Sequence, residues 1–315
     1  MDRAFVSRFF WVTVLGAFPV FQSTWVHAAA APSATVGIIG PTVIYGVDNR
    51  RDPYEVTEQI WLDKARSTVA LFSSKSVLGT TTSGATKIKT TSYAQDYNLC
   101  TSEPYYDQDT GAFCSGSLVG DDLVLTAGHC ITSSAQDLYV PKCKDTKFVF
   151  DFGIWSKGSK TPGEVPTTSV YGCKQVIARV EQATGADYAL VRLDRKVTDR
   201  PALAVNRLNN TAIGDPMLVI GHPAGLPTKI AGGAVVLSFG RGYFNADLDT
   251  YGGNSGSAVF NEKTGLIEGI LVRGAMDYVE SAGKGSCVIS NVISSPSVSG
   301  GESVTSVSIA VPNIP

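Results

Sequence analysis

Three residues have the types and settings that acyl transfer requires. His129 closes the run "GSLVGDDLVLTAGHC" beside Cys130, Asp187 opens the apolar run in "GADYALVRL", and Ser255 lies between glycines in "YGGNSGSAVF". A hydroxyl is a weak nucleophile at neutral pH, so a base must take its proton. A carboxylate must then hold the imidazole in the right tautomer and stabilise the imidazolium that forms. Glycines around the serine let backbone N–H groups point at a developing oxyanion. Each feature alone has an ordinary structural explanation: a histidine packed beside a cysteine, a capping aspartate at a strand start, a serine in a tight turn. The rival histidine, His222, precedes Pro223 in a turn and has no acidic strand motif to orient it, so a structural role is expected for it.

The elements that must hold these residues read as short strands. From Phe113 onward the chain alternates β-type runs such as "SGSLVG", "DLVLTA", "KFVFDFG", "KQVIARV", "YALVRL", "PMLVIG", "GGAVVLSF", "GSAVF" and "LIEGILV" with Gly, Pro, Asn and Asp. Many short strands at close spacing predict an all-β sandwich or barrel. Before Phe113, "STVALFSS" reads as a strand and "EVTEQIWLDKAR" as a helix, in a stretch otherwise rich in Ser, Thr and Lys. The tail from Ser290 begins as a Ser/Gly loop and ends in one more strand-like run. With 315 residues, 43% of them hydrophobic, the chain can bury one large β domain or two lobes. A formal net charge of −2, from 26 basic and 28 acidic residues, argues against a nucleic-acid partner or an anionic membrane surface.

The first thirty residues differ in kind. Arg3 and Arg8 precede the uncharged stretch Phe9 to Phe21, and Ala28-Ala29-Ala30 offers an A-x-A site. Residues 1–30 are therefore expected to be a secretory signal peptide, with an apolar core too short for the roughly 20 residues of a membrane span. Residues 31–42 are expected to be a short pro-segment or an unstructured start, and no membrane association is expected after signal removal. The six cysteines, Cys100, Cys114, Cys130, Cys143, Cys173 and Cys287, fit an oxidising compartment, extracellular or periplasmic. They allow fifteen connectivities. No C-x-x-C is present and only two histidines follow the signal segment, so neither a metal nor any other cofactor is expected.

Taken together, "LTAGHC", "DYALVRL" and "GGNSGSAVF" resemble the three catalytic motifs of the chymotrypsin-like serine peptidases. The G-x-S-x-G elbow of α/β-hydrolases is not met, because the run is Gly253-Asn254-Ser255-Gly256-Ser257, and the order His, Asp, Ser is not theirs. Within the superfamily the chain is similar to the secreted bacterial glutamyl endopeptidase and trypsin-like peptidase group. The signs are the G-G-N-S-G-S box, the "VIGHPAG" turn, and "VIYGVDNR" from Val43, which resembles a mature start. The resemblance covers residues 43–315 as one peptidase domain and implies two perpendicular six-stranded β-barrels, the first about 60–200 and the second about 201–315, with the site in the cleft between them. It implies His129 as base and then acid, Asp187 as its orienter and Ser255 as nucleophile, His129 standing within about 2.6–3.2 Å of the hydroxyl. It implies the backbone N–H groups of Gly253 and Ser255 as the oxyanion hole. Cys114 and Cys130 match the family's disulfide astride the histidine. Cys143 and Cys173 flank a Gly/Pro-rich insertion between two strands and are paired on that context, which leaves Cys100 with Cys287.

The resemblance also gives a specificity pocket. Asp249 falls where trypsins hold the acid that binds Lys or Arg, and Thr250 follows it. Leu271, Val272, Arg273 and Gly274 fall on the later strand that walls the pocket, Leu271 at the place where glutamyl endopeptidases use a histidine. Glu302 is expected near the pocket base. A buried carboxylate there favours a cationic P1 side chain, unless Arg273 pairs with Asp249 and neutralises it. Asn254 stands where trypsins have an aspartate that pairs with the new N-terminus, so that ion pair cannot form. The expectation is a secreted, monomeric serine endopeptidase acting on proteins or peptides with Arg/Lys preference. The alternatives are a catalytically idle binding homologue, which usually lacks a triad member, and a secreted esterase using the same triad.

Overall fold

The structure is a computed structural model that describes residues 43–282, 286–294 and 300–315. The expected signal and pro-segments lie outside the described residues. Twelve strands carry the architecture. The first six are Thr68–Ser73 (β1), Cys114–Gly120 (β2), Leu123–Thr126 (β3), Thr146–Val149 (β4), Val170–Glu181 (β5) and Asp187–Leu193 (β6). They close as a barrel in the order β4-β5-β6-β3-β2-β1, with β1 returning to β4. The second six are Pro216–Gly221 (β7), Lys229–Gly240 (β8), Tyr243–Ala246 (β9), Ala258–Asn261 (β10), Ile267–Arg273 (β11) and Glu302–Ser306 (β12). Their order is β7-β10-β11-β12-β9-β8, closed by pairing of β8 with β7. All pairings within both barrels are antiparallel. The fold is the double six-stranded barrel of the chymotrypsin-like class, and the runs read as strands in the sequence supply all its strands except the four-residue β9.

Closure removes sheet edges, and the strands read accordingly. β1 (TVALFS) and β6 (DYALVRL) are buried almost throughout. One apolar cluster runs from Leu118, Val124 and Leu190 of the first barrel to Ile220, Phe260 and Ile270 of the second, so the barrels share a core. Met217, Phe244, Leu271 and Val304 fill the second barrel's own interior. The helix α1, Gln59–Arg66, matches the helical reading. It buries only Trp61 and Ala65, one turn apart, and Trp61 meets Phe260 edge-on at 6.0 Å. The early segment also serves the second barrel: Arg50–Arg51 pairs with β8, and Ile44–Tyr45 pairs in parallel with Val292–Ile293. Among the described residues no helix is long and apolar enough to cross a membrane.

Candidate active site

β3 ends at Thr126, and the chain turns through a short 3-10 segment, Gly128–Cys130. The turn is fixed from three directions. Cys130 is bridged to Cys114 on β2, with Cα atoms 6.1 Å apart. Arg179 on β5 donates from Nε to the Gly128 carbonyl at 2.7 Å and pairs with Asp137 at 3.0 Å. Asp187, at the start of β6, accepts the Gly128 and His129 backbone N–H groups on Oδ1 at 2.6 and 3.1 Å. Its other oxygen lies 2.6 Å from His129 Nδ1. A carboxylate can only accept, so Nδ1 carries the proton and Nε2 keeps its lone pair. The Asp187 side chain is 2% exposed and that of His129 19%, so the acid is shielded while the imidazole reaches the cleft. From the second barrel, Thr305 on β12 accepts the Asp187 N–H and donates to the Asp187 carbonyl, both at 3.0 Å.

The Ser255 turn is built by bonds from Asn254 N–H to Tyr251 O, Ser257 N–H to Asn254 O and Gly256 N–H to Leu271 O, at 2.8–2.9 Å. Its glycines are sterically required. Gly253 and Gly256 both have φ +89. A Cβ on Gly253 would lie 2.7 Å from His222 O, and one on Gly256 2.1 Å from Ser115 O. Ser115 on β2 ties this turn to the histidine's strand pair. Its N–H donates to Ser255 O at 2.8 Å, and its hydroxyl donates to Gly253 O at 2.8 Å and accepts the His222 N–H at 2.9 Å. Cys130 Sγ lies 3.6 Å from Ser255 O. The structure therefore brings the Ser255 backbone against the base of the His129 turn. Among the described residues the N–H groups of Gly253 and Ser255 donate to nothing else, and the Ser255 hydroxyl makes no hydrogen bond. The expected His129–Ser255 bond is thus not formed here. A seryl χ1 has three staggered wells, and such bonds commonly tighten only with substrate. Asn254 is buried and accepts the Ser257 hydroxyl at 3.1 Å, a neutral brace where trypsins place a charge.

The pocket residues fall less simply. Asp249 is 5% exposed, and its oxygens accept the Tyr45 N–H at 2.7 Å and the Asn49 N–H at 2.8 Å. Desolvation pushes its pKa up to about 6. Glu302, wholly buried and pushed well above the carboxylate range by desolvation, accepts the Tyr45 hydroxyl at 3.2 Å and the Thr250 hydroxyl at 3.3 Å. Thr250 also bonds Val43 O through its N–H at 3.2 Å. Asp249, Thr250 and Glu302 thus share one acidic patch closed from behind by residues 43–49. One expectation needs correction, and one proviso falls away. Leu271 and Val272 turn their side chains into the apolar cores, because β11 is a central strand with both faces covered, so only their backbone can wall a pocket. Arg273 does not pair with Asp249: its Nη2 donates to Gln182 O at 2.5 Å and Gly185 O at 2.7 Å. Gly274 follows β11, half-buried, and Asp277 holds the Gly252 N–H at 3.1 Å.

His222 is buried, with its Nδ1 3.1 Å from Leu226 O and burial pushing its pKa down to about 3. It has no carboxylate partner among the described residues. The remaining cysteines are bridged Cys143–Cys173 and Cys100–Cys287, with Cα atoms 5.2 and 5.0 Å apart. Ser115, Arg179 and Thr305 were missed by sequence reasoning. None lies in a motif, and each acts only through contacts made by folding.

Residues 114–270, a span that contains His129, Asp187 and Ser255, match the family described as a trypsin-like peptidase domain. Among solved structures, the VesB protease of Vibrio cholerae is 15% identical with a TM-score of 0.47, covering 85% of this chain and 66% of that one. A Glu endopeptidase in complex with MPD is also 15% identical with a TM-score of 0.47, covering 86% of this chain and 97% of that one. Over residues 114–270 the chain carries the trypsin-like peptidase domain of the serine endopeptidases, on a chymotrypsin-like double barrel.

Proposed function

We propose that the protein is a secreted serine endopeptidase that cleaves after Arg or Lys. The observation that carries the chemistry is the buried Asp187 carboxylate 2.6 Å from His129 Nδ1, with the Ser255 turn spliced to the same strand pair through Ser115. His129 Nε2 takes the Ser255 proton as Oγ attacks the scissile carbonyl. The oxyanion is received by the unspent N–H groups of Gly253 and Ser255, each such donor being worth on the order of 100- to 1,000-fold in rate. The imidazolium, held by Asp187, then protonates the leaving amine. Water repeats the sequence on the acyl-enzyme.

The P1 preference rests on the acidic patch. Asp249 and Glu302 have no ion-paired cation among the described residues, since the nearby Arg50 is bound to Asp48. The two amide bonds on Asp249 leave it lone pairs to offer. A cationic side chain is rewarded there, and a carboxylate would be repelled and buried unpaired. Because Asp249 titrates at about 6, the attraction is present above that pH and fades below it. The three disulfides fit an exported protein, and the mature amino terminus is expected near Val43.

A fluorogenic peptide panel varied at P1, run at pH 5 and pH 8 with wild type and Ser255→Ala, tests the reading. The expected result is Arg and Lys ahead of Glu, a wider margin at pH 8, and no turnover by Ser255→Ala. Glu substrates outrunning Arg and Lys would overturn the specificity. Equal turnover by Ser255→Ala would overturn the mechanism and point to another site, and no turnover by wild type would leave an idle homologue.

A further inference from the structure

β11 should send alternate side chains to opposite faces. Leu271 enters the second barrel's interior and Val272 the shared core, so strict alternation would send Arg273 after Leu271 into apolar surroundings. The pairing of β11 with β12 slips between Leu271 and Arg273, and a bulge of this kind re-aims the side chain that follows. Arg273 instead crosses to the first barrel, where Nη2 bonds the Gln182 and Gly185 carbonyls. Those carbonyls belong to the turn that leads from β5 into Asp187.

The charge on Arg273 is unmatched. No carboxylate pairs with it among the described residues, and the acid at that turn, Glu181, is held by Arg179. A guanidinium carries five N–H donors in a fixed fork, so two bonds from Nη2 leave Nε and Nη1 unspent on a half-exposed side chain. Its location follows from the ladder. Leu271 is bonded both ways to the nucleophile's turn, through Gly256 N–H to Leu271 O and Leu271 N–H to Ser257 O. Arg273 is two residues on, roughly 7 Å along the strand. β10 pairs with β11 only as far as Ile270, so beyond Leu271 that edge is open to an extended peptide. A peptide added there antiparallel to β11, with its scissile bond at the Ser255 turn beside Leu271, would carry its acyl-side residues past Arg273.

We propose that Arg273 is a specificity residue that selects peptides bearing Asp or Glu two to four residues before the scissile bond, through a carboxylate–guanidinium fork at the cleft rim. This rests on the peptidase reading above and extends it from P1 to the acyl-side subsites.

The test compares peptides of one basic P1 residue that carry Asp, Glu, Asn or Gln at P2, P3 or P4, with wild type, Arg273→Gln and Arg273→Lys. One acidic position should raise kcat/KM about two- to five-fold over its amide counterpart, the size of a partly exposed ion pair. The gain should appear mainly in KM, shrink as salt is raised, vanish in Arg273→Gln and persist in part in Arg273→Lys. A merely structural role for Arg273 would lower kcat equally for acidic and amide peptides. That result, acidic peptides no better than amide ones with wild type, or a preference surviving in Arg273→Gln, overturns the proposal while cleavage of the amide peptides keeps the peptidase reading. Should Arg273→Gln fail to fold, the salt dependence in wild type still decides, since a gain that does not shrink with salt excludes an ion pair. If wild type cleaves no peptide, both readings fall.

Discussion

At the scale of single residues, Asp187 bears the heaviest combination of roles. One of its oxygens anchors the backbone of the His129 turn and the other fixes the imidazole's tautomer. These roles can be separated. In Asp187→Asn the amide oxygen can still accept the Gly128 and His129 N–H groups, but its NH2 faces Nδ1 and enforces the wrong tautomer. The expected outcome is a loss of about 10,000-fold in kcat with a thermal midpoint within a few degrees of wild type, read by peptide hydrolysis and differential scanning fluorimetry on one preparation. Retained activity would remove Asp187 from the mechanism. The residue scale also marks what a sequence can carry. His129, Asp187 and Ser255 were legible because each sits in a local setting, a strand end or a glycine turn, that few other structures require. Asp249 was legible as an acid but not in its bonding, because its partner Tyr45 is 204 residues away in the chain. The direction in which Arg273 points was not legible, because a single bulge decides it.

At the scale of elements, the site depends on two turns held against one strand pair. The Cys114–Cys130 bridge spans 16 residues and encloses β2, β3 and the histidine turn, so its main effect is to limit the unfolded chain and hold the base of that turn. Replacing both cysteines by serine should cost about 3 kcal/mol from loop-closure entropy, lowering the thermal midpoint by roughly 6–12 °C at the slope expected for a chain of this size. Denaturant titration of the variant and wild type checks the figure. An unchanged midpoint would mean that the Ser115 bonds and Arg179 already restrain the turn in full. The strands themselves were readable from apolar runs and turn residues, as was helix α1. β9 escaped because four residues, YFNA, carry too little pattern to distinguish a strand from a loop, and its place is set by β8 and β12 on either side.

At the scale of the whole molecule, each barrel supplies part of an apparatus that neither holds alone. The first provides His129, Asp187 and the Ser115 splice. The second provides Ser255, the acidic patch and Thr305, which clasps the Asp187 backbone across the interface. The shared apolar cluster keeps these halves in register, and the polar residues occupy its rim. The early segment, rich in Ser, Thr and Lys, gave little sign of its part. Through Val43, Tyr45 and Asn49 it closes the acidic patch from behind, a task set by contacts with residues two hundred or more positions later. That this assembled site activates Ser255 is the central claim. Its most direct test is incubation with a fluorophosphonate, followed by intact-mass measurement and peptide mapping of wild type and His129→Ala. The expected result is a single adduct per chain, located on Ser255, and absent from folded His129→Ala. A wild-type chain that hydrolyses peptides while Ser255 stays unlabelled, or an adduct that forms equally fast without His129, would contradict it.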